Sequence, residues 1–163
     1  MVHHEEHSPL HYTGLGEGRI EVVCGPMFSG KTEELLRRVR RAQIAAQPTV
    51  IFKPAADTRY QKDQVTSHNA SALPSVTVRS SGDILEYLRK QPRLFTVVAI
   101  DEAQFFDAEL PATCVSLANK GVRIIAAGLD LDYRGKPFGV MPELLALAEE
   151  VTKLHAVCME TGR

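Results

Sequence analysis

Two short runs hold the residue types that phosphate chemistry needs. Gly25-Pro26-Met27-Phe28-Ser29-Gly30-Lys31-Thr32 has the spacing G-x-x-x-x-G-K-[ST]. Glycines there let the backbone curl until successive N–H groups converge on phosphate oxygens, and the positive end of a following helix adds to their pull. Lys31 would then supply a point charge between the β- and γ-phosphates, and the Thr32 hydroxyl a ligand for Mg²⁺. The bland alternative, a glycine-rich turn with a solvated lysine, is disfavoured because the run lies between the strand-like RIEVV and the helix-like LLRRVRRA.

The second run, Val97-Val98-Ala99-Ile100-Asp101-Glu102, is an apolar strand ending in two carboxylates. Asp101 is placed to hold the water shell of the ion that Thr32 ligates. Glu102 points the other way, toward any nucleophile approaching the γ-phosphate, where a general base contributes roughly 10²- to 10⁴-fold in rate. On spacing alone a second carboxylate of the metal shell, or the water-activating base of an ATPase, competes with that role. A GTPase is disfavoured: Asn119-Lys120-Gly121-Val122 begins like the guanine-reading N-K-x-D but lacks the aspartate and precedes its strand.

The elements that must position these runs follow from periodicity. Strand patterns cover residues 19–24, 49–54, 75–80, 96–101, 122–128 and 151–157, and helix patterns cover 32–46, 82–90, 106–120 and 142–150. Strands alternating with helices imply right-handed βαβ crossovers, hence an α/β three-layer fold with a mostly parallel sheet flanked by helices. Ligands in such folds collect at the carboxyl ends of the strands. Residues 55–73 lack a hydrophobic period and are long for a connection, which marks a functional or mobile loop. Arg37, Arg38, Arg40 and Arg41 are expected on the solvated or subunit-facing side of a helix whose apolar side is Leu35, Leu36, Val39 and Ala42.

With 163 residues, 44% of them hydrophobic, the chain is of one-domain size and can bury a core without disulfide or metal. A formal charge of −1 gives no general basic field, so nucleic acid is not an expected partner. The three cysteines, Cys24, Cys114 and Cys158, are odd in number and widely spaced, which suits reduced thiols in a cytosol. No apolar run reaches membrane-spanning length and no signal peptide is seen, so a soluble cytoplasmic protein is expected, with no membrane partner. Residues 1–18 carry His3, His4, His7 and His11 but no periodicity to fix a ligand geometry. They are expected to be a disordered arm or an expression remnant.

The segments GPMFSGKTEELL, KPAADTRY, VTSHNASALP, AIDEAQFF, AAGLDLDYRGKPFG and VTKLHAVC occur in an order and at a spacing that resembles the P-loop thymidine kinases, the RecA-like deoxynucleoside kinase family. The match spans residues 19–158, the expected kinase domain. The resemblance implies a RecA-like P-loop fold and ATP-dependent transfer of the γ-phosphate to the 5′-hydroxyl of thymidine, with Glu102 as the base and Lys31 on the phosphates. It implies nucleotide contacts from Gly25 through Thr32 and from Asp101, Glu102, Ala103 and Gln104. It places Asp57 and Arg59 near the transferring phosphate, where a mobile arginine can neutralise charge. It also implies a thymine pocket of Met27, Phe105, Leu129, Tyr133 and Phe138, whose apolar types suit a flat pyrimidine.

A homotetramer and feedback inhibition by dTTP are further implications of the resemblance. So is a structural zinc with paired C-x-x-C motifs, followed by a lasso closing over thymidine. Here only Cys158 of the Cys158-Met159-Glu160-Thr161 run offers a ligand, a structural site needs four, and zinc is doubtful. Residues 159–163 read as the start of that region in a shortened form, from which poor thymidine phosphorylation is expected. The rival class is a RecA-like ATPase module coupling hydrolysis to a macromolecule. A third reading is a nucleotide-binding regulatory protein without chemistry.

Overall fold

The computed structural model describes residues 17–55, 64–66 and 72–156. Along the chain run β1 (Arg19–Cys24), α1 (Lys31–Ile44), β2 (Thr49–Pro54), β3 (Gln64–Thr66), β4 (Ala72–Pro74), β5 (Val76–Val78), α2 (Ser81–Lys90), β6 (Val97–Ile100), α3 (Leu110–Asn119), β7 (Arg123–Gly128), α4 (Met141–Leu147) and β8 (Glu150–Lys153). Six strands form one sheet in the order β5-β2-β6-β7-β1-β8, and every pairing in it is parallel. The α/β fold with a parallel sheet between helices is therefore the one the alternation of strands and helices required.

Both faces of the sheet are covered, which is why its strands are apolar at successive positions rather than alternate ones. Val50, Phe52, Val98, Ile100, Ile124 and Ala126 point into the larger core, which α2, α3 and α4 close with Ile84, Leu88, Leu110, Leu117, Met141 and Leu144. Ile51, Val97, Ala99, Ile125 and Ala127 point to the other face, where α1 lays Leu35, Leu36, Val39 and Ala42 across them. The apolar stripe read from the α1 sequence is thus the face it buries. Among the described residues no helix is long and apolar enough to cross a membrane.

Four departures from the sequence expectations have physical causes. Arg38, expected on the solvated side of α1, is buried, because β1 places Glu21 beneath it and the two pair at 2.9 Å. Helix α3 starts at Leu110 rather than residue 106: Pro111 sits in its first turn, and the Asp107 carboxylate is occupied with the Ser81 amide and hydroxyl at 2.7 Å each. Helix α4 stops at Leu147 although the helical pattern runs to 150. Glu149 instead accepts from the Ile20 amide and donates its own amide to the Ile20 carbonyl, so that Glu150 opens β8. In the segment expected to be a functional or mobile loop lacking a hydrophobic period, β3 pairs antiparallel with β4, Val65 opposite Leu73.

Candidate nucleotide and phosphoryl-transfer site

The loop between β1 and α1 is built by two close constraints. At Gly25 a side chain would meet the Leu154 carbonyl oxygen at 2.6 Å, so only glycine lets the end of β1 pass the end of β8. Gly30 caps α1 at φ 90°, a left-handed conformation that favours glycine, and contributes no side-chain cap. The first-turn amides of α1 therefore face the loop mouth without a capping oxygen from Gly30. Among the described residues the Ser29 hydroxyl is buried with no hydrogen-bond partner. An orphaned buried hydroxyl beside an uncapped helix start fits a phosphate, which would satisfy both.

Lys31 folds back into this loop, its Nζ donating to the Pro26 carbonyl at 2.6 Å. Burial pushes its pKa below the ordinary lysine value, while the carboxylates of Glu102, Asp101 and Asp130 act against that shift. The lysine and these acids are therefore within electrostatic reach across the carboxyl edge of the sheet. Thr32 follows in the first turn of α1, half-buried.

β7 lies between β1 and β6, so the acids at the end of β6 stand two strand spacings, about 10 Å, from the end of β1. That gap accommodates a phosphate chain with its ion rather than a direct Lys31–Asp101 bond. Asp101 is nearly buried, its amide held by the Phe52 carbonyl at 2.9 Å and its Oδ1 accepting from the Glu102 amide at 3.0 Å. At Glu102 the backbone turns to φ 50°, ψ 44°. A left-handed glutamate is uncommon, costs roughly 1–3 kcal/mol, and is found where function holds it. The turn breaks the strand alternation and starts a short 3-10 helix, Ala103–Phe105. Ala103 is fully buried and Gln104 nearly so; the Gln104 side chain binds Glu102 and the Leu129 amide.

Of the five expected pocket residues, Phe105 and Phe138 meet edge to face at 5.5 Å, and Leu129 is tied to the same corner through Gln104. Met27 is 62% exposed on the phosphate loop, beside the equally open Phe28. Tyr133 is 94% exposed at the tip of the loop after β7, where the Arg134 guanidinium lies 5.4 Å from its ring. Asp57, Arg59 and Cys158 lie outside the described residues, as do residues 1–16 and the expected start of a zinc and lasso region at 159–163.

Three charged groups at this edge were not singled out in the sequence. Asp130 accepts from Lys153 Nζ at 2.8 Å; burial alone would raise its pKa, but the Lys153 hydrogen bond and backbone amides hold it below the ordinary range. Lys53 is 6% exposed in β2, one residue past the Phe52–Ile100 pair. Asp130 follows the end of β7 as Asp101 follows β6, so the rule that found Asp101 had the signal for Asp130 as well.

A parallel α/β sheet with this loop after one strand and paired acids after another defines a P-loop nucleoside-triphosphate-binding protein. A family model described as thymidine kinase matches residues 18–163. The chain is 54% identical over 145 residues to the thymidine kinase of Bacteroides thetaiotaomicron, covering 89% of this chain and 71% of that one. With the thymidine kinase of Porphyromonas gingivalis it is 54% identical over 153 residues, 94% of this chain and 73% of that one. The chain belongs to the thymidine kinase family.

Proposed function

We propose that the chain phosphorylates thymidine on its 5′-hydroxyl, taking the γ-phosphate of ATP and giving dTMP and ADP. The observation that carries this reading is the convergence of Lys31 with Asp101 and Glu102 at one edge of the sheet, with Glu102 held in a left-handed turn. Loop amides, the α1 terminus and Lys31 hold the triphosphate and neutralise its charge; the Ser29 hydroxyl gains a partner that the described residues do not give it. Glu102 takes the proton of the 5′-hydroxyl as that oxygen attacks phosphorus and the bond to ADP breaks. Phe105, Phe138, Leu129, Met27 and Tyr133 supply apolar surface for the thymine. Arg59 and Asp57 act beside the transferring phosphate.

Mg²⁺, when bound, would neutralise charge on the phosphate chain. Thr32 and Asp101 would hold it. Among the described residues no group of three or more His, Cys, Asp or Glu gathers into a metal cluster, and Mg²⁺ usually relies on one or two protein ligands with phosphate and water. Cys24 and Cys114 are free buried thiols, in keeping with a cytoplasmic location. Assembly as a homotetramer and inhibition by dTTP follow the family resemblance, and light scattering with and without dTTP tests the first directly.

A nucleoside panel with ATP tests the activity. ADP formation should depend on added thymidine and yield dTMP. Turnover indifferent to every nucleoside would point instead to the ATPase-module reading.

A further inference from the structure

Gln104 sits directly behind the proposed base, and both ends of its side-chain amide are held by the protein. Its Nε2 donates to Glu102 Oε2 at 2.6 Å and its Oε1 accepts from the Leu129 amide at 3.1 Å. Only this orientation of the amide works, since the reverse would set its carbonyl against a carboxylate and its NH₂ against an N–H. The residue is 3% exposed, so its own amide is largely shielded from bulk water. Two glycines make its room. A side chain at Gly128 would come within 2.7 Å of Gln104 Oε1, and one at Gly139 within 2.5 Å of the Gln104 carbonyl oxygen. The backbone at Glu102 is in a costly left-handed turn, and the Gln104 amide is a partner that fixes the direction in which its carboxylate leaves that turn.

We infer that Gln104 is a positioning residue: it aims the Glu102 carboxylate and joins it to the backbone of Leu129, so that the base and the loop expected to receive the thymine move as one unit. The inference rests on Glu102 being the base. One end of the strut sets proton abstraction and so should appear in kcat. The other end sets the loop after β7 and so should appear in the KM for thymidine. Displacing a reacting group by about 1 Å costs up to roughly 10²-fold.

The test uses the full chain with Gln104→Glu, Gln104→Met, Glu102→Gln and the double variant Glu102→Gln/Gln104→Met. Steady-state rates give kcat and KM for thymidine, a titration gives MgATP affinity, and a thermal melt reports folding. Gln104→Glu keeps the size and an acceptor for Leu129 but loses the donor to Glu102. It should lower kcat about tenfold or more while leaving thymidine KM within about threefold. Gln104→Met loses both bonds and should also raise KM. Because Gln104 acts through Glu102, adding Gln104→Met to Glu102→Gln should lower kcat by less than about threefold further.

A wild-type kcat in Gln104→Glu, or a full multiplicative loss in the double variant, overturns the inference while leaving Glu102 as base. A wild-type kcat in Glu102→Gln overturns both. Should Gln104→Met fail to fold, the near-isosteric Gln104→Glu still decides the kcat–KM split.

Discussion

At its amino end β1 carries Arg19 and the buried Glu21, whose carboxylate takes the guanidinium groups of Arg19, Arg38 and Arg123. Arg38 also reaches Glu34 at 2.9 Å and Thr152 at 3.1 Å. At its carboxyl end the same strand runs into a loop where, among the described residues, the buried Ser29 hydroxyl has no partner and Lys31 donates to the Pro26 carbonyl. Charge is dense at both ends. At the amino end acids and bases answer one another and bind α1, β1, β7 and β8 together; at the carboxyl end the donors converge on a space that a phosphate would fill. The contrast separates charge that is paired within the fold from charge left open to a ligand more surely than residue type does, because arginine clusters invite a ligand reading that this one does not support.

Substitutions at the two ends should therefore fail in different observables. Lys31→Met should cause the largest effect, a loss of about 10³-fold in kcat/KM for ATP, with the melting temperature little changed; a variant that melts early instead would mean that Lys31 holds the loop together. Glu21→Ala should do the reverse. Breaking a buried ionic network by removing one partner costs about 3 kcal/mol or more, which for a chain of this size lowers the melting temperature by roughly 6 to 12 °C. The folded fraction should keep a kcat within about twofold of wild type. A fall in kcat without a fall in stability would break the comparison.

Glu102→Gln comes next, with kcat reduced by roughly 10²-fold or more and MgATP binding retained in a titration. The value discriminates between the two acids. Asp101→Asn should weaken the Mg²⁺ dependence of the rate, shifting the half-saturating Mg²⁺ concentration upward, whereas Glu102→Gln should leave that concentration in place. Equal shifts in both variants would make Glu102 part of the metal shell.

The alternation of strands and helices, the phosphate loop and the acids after β6 were legible because each rests on local pattern: apolar runs of strand length, glycines at fixed offsets, carboxylates at a strand end. What escaped was set by tertiary partners. Nothing in the sequence near Arg38 says that Glu21 lies beneath it, since the pairing spans α1 and β1 and exists only once the helix docks. The end of α4 and the start of β8 were likewise fixed by Glu149 meeting Ile20, a contact of long sequence separation that helix propensity cannot foresee. Gln104 was legible as part of AIDEAQFF and not as a strut, because its second partner is a backbone amide in another segment.

Acid should produce the smallest effect and the finest measure of how the amino-end charges act. Hydrogen bonds from Arg37, against the opposing effect of burial, hold Glu34 at about 2, well below its ordinary 4.5, and Arg38 adds to the shift. Burial alone would raise Glu21, but Arg123 and Arg19 keep its pKa below the ordinary value as well. A carboxylate whose pKa is depressed in the folded state contributes stability that is present above its unfolded value and lost as pH falls through its folded one. The melting temperature should thus fall steadily from about pH 4.5 toward pH 2, and Glu34→Gln should flatten that limb while leaving the melting temperature near neutral pH lower by a few degrees at most. If the limb keeps its slope in Glu34→Gln, the acid sensitivity must come from other depressed carboxylates, Glu21 and the Lys153-bonded Asp130 being next in line, and Asp130→Asn would then separate the two ends of the sheet by which variant flattens the curve.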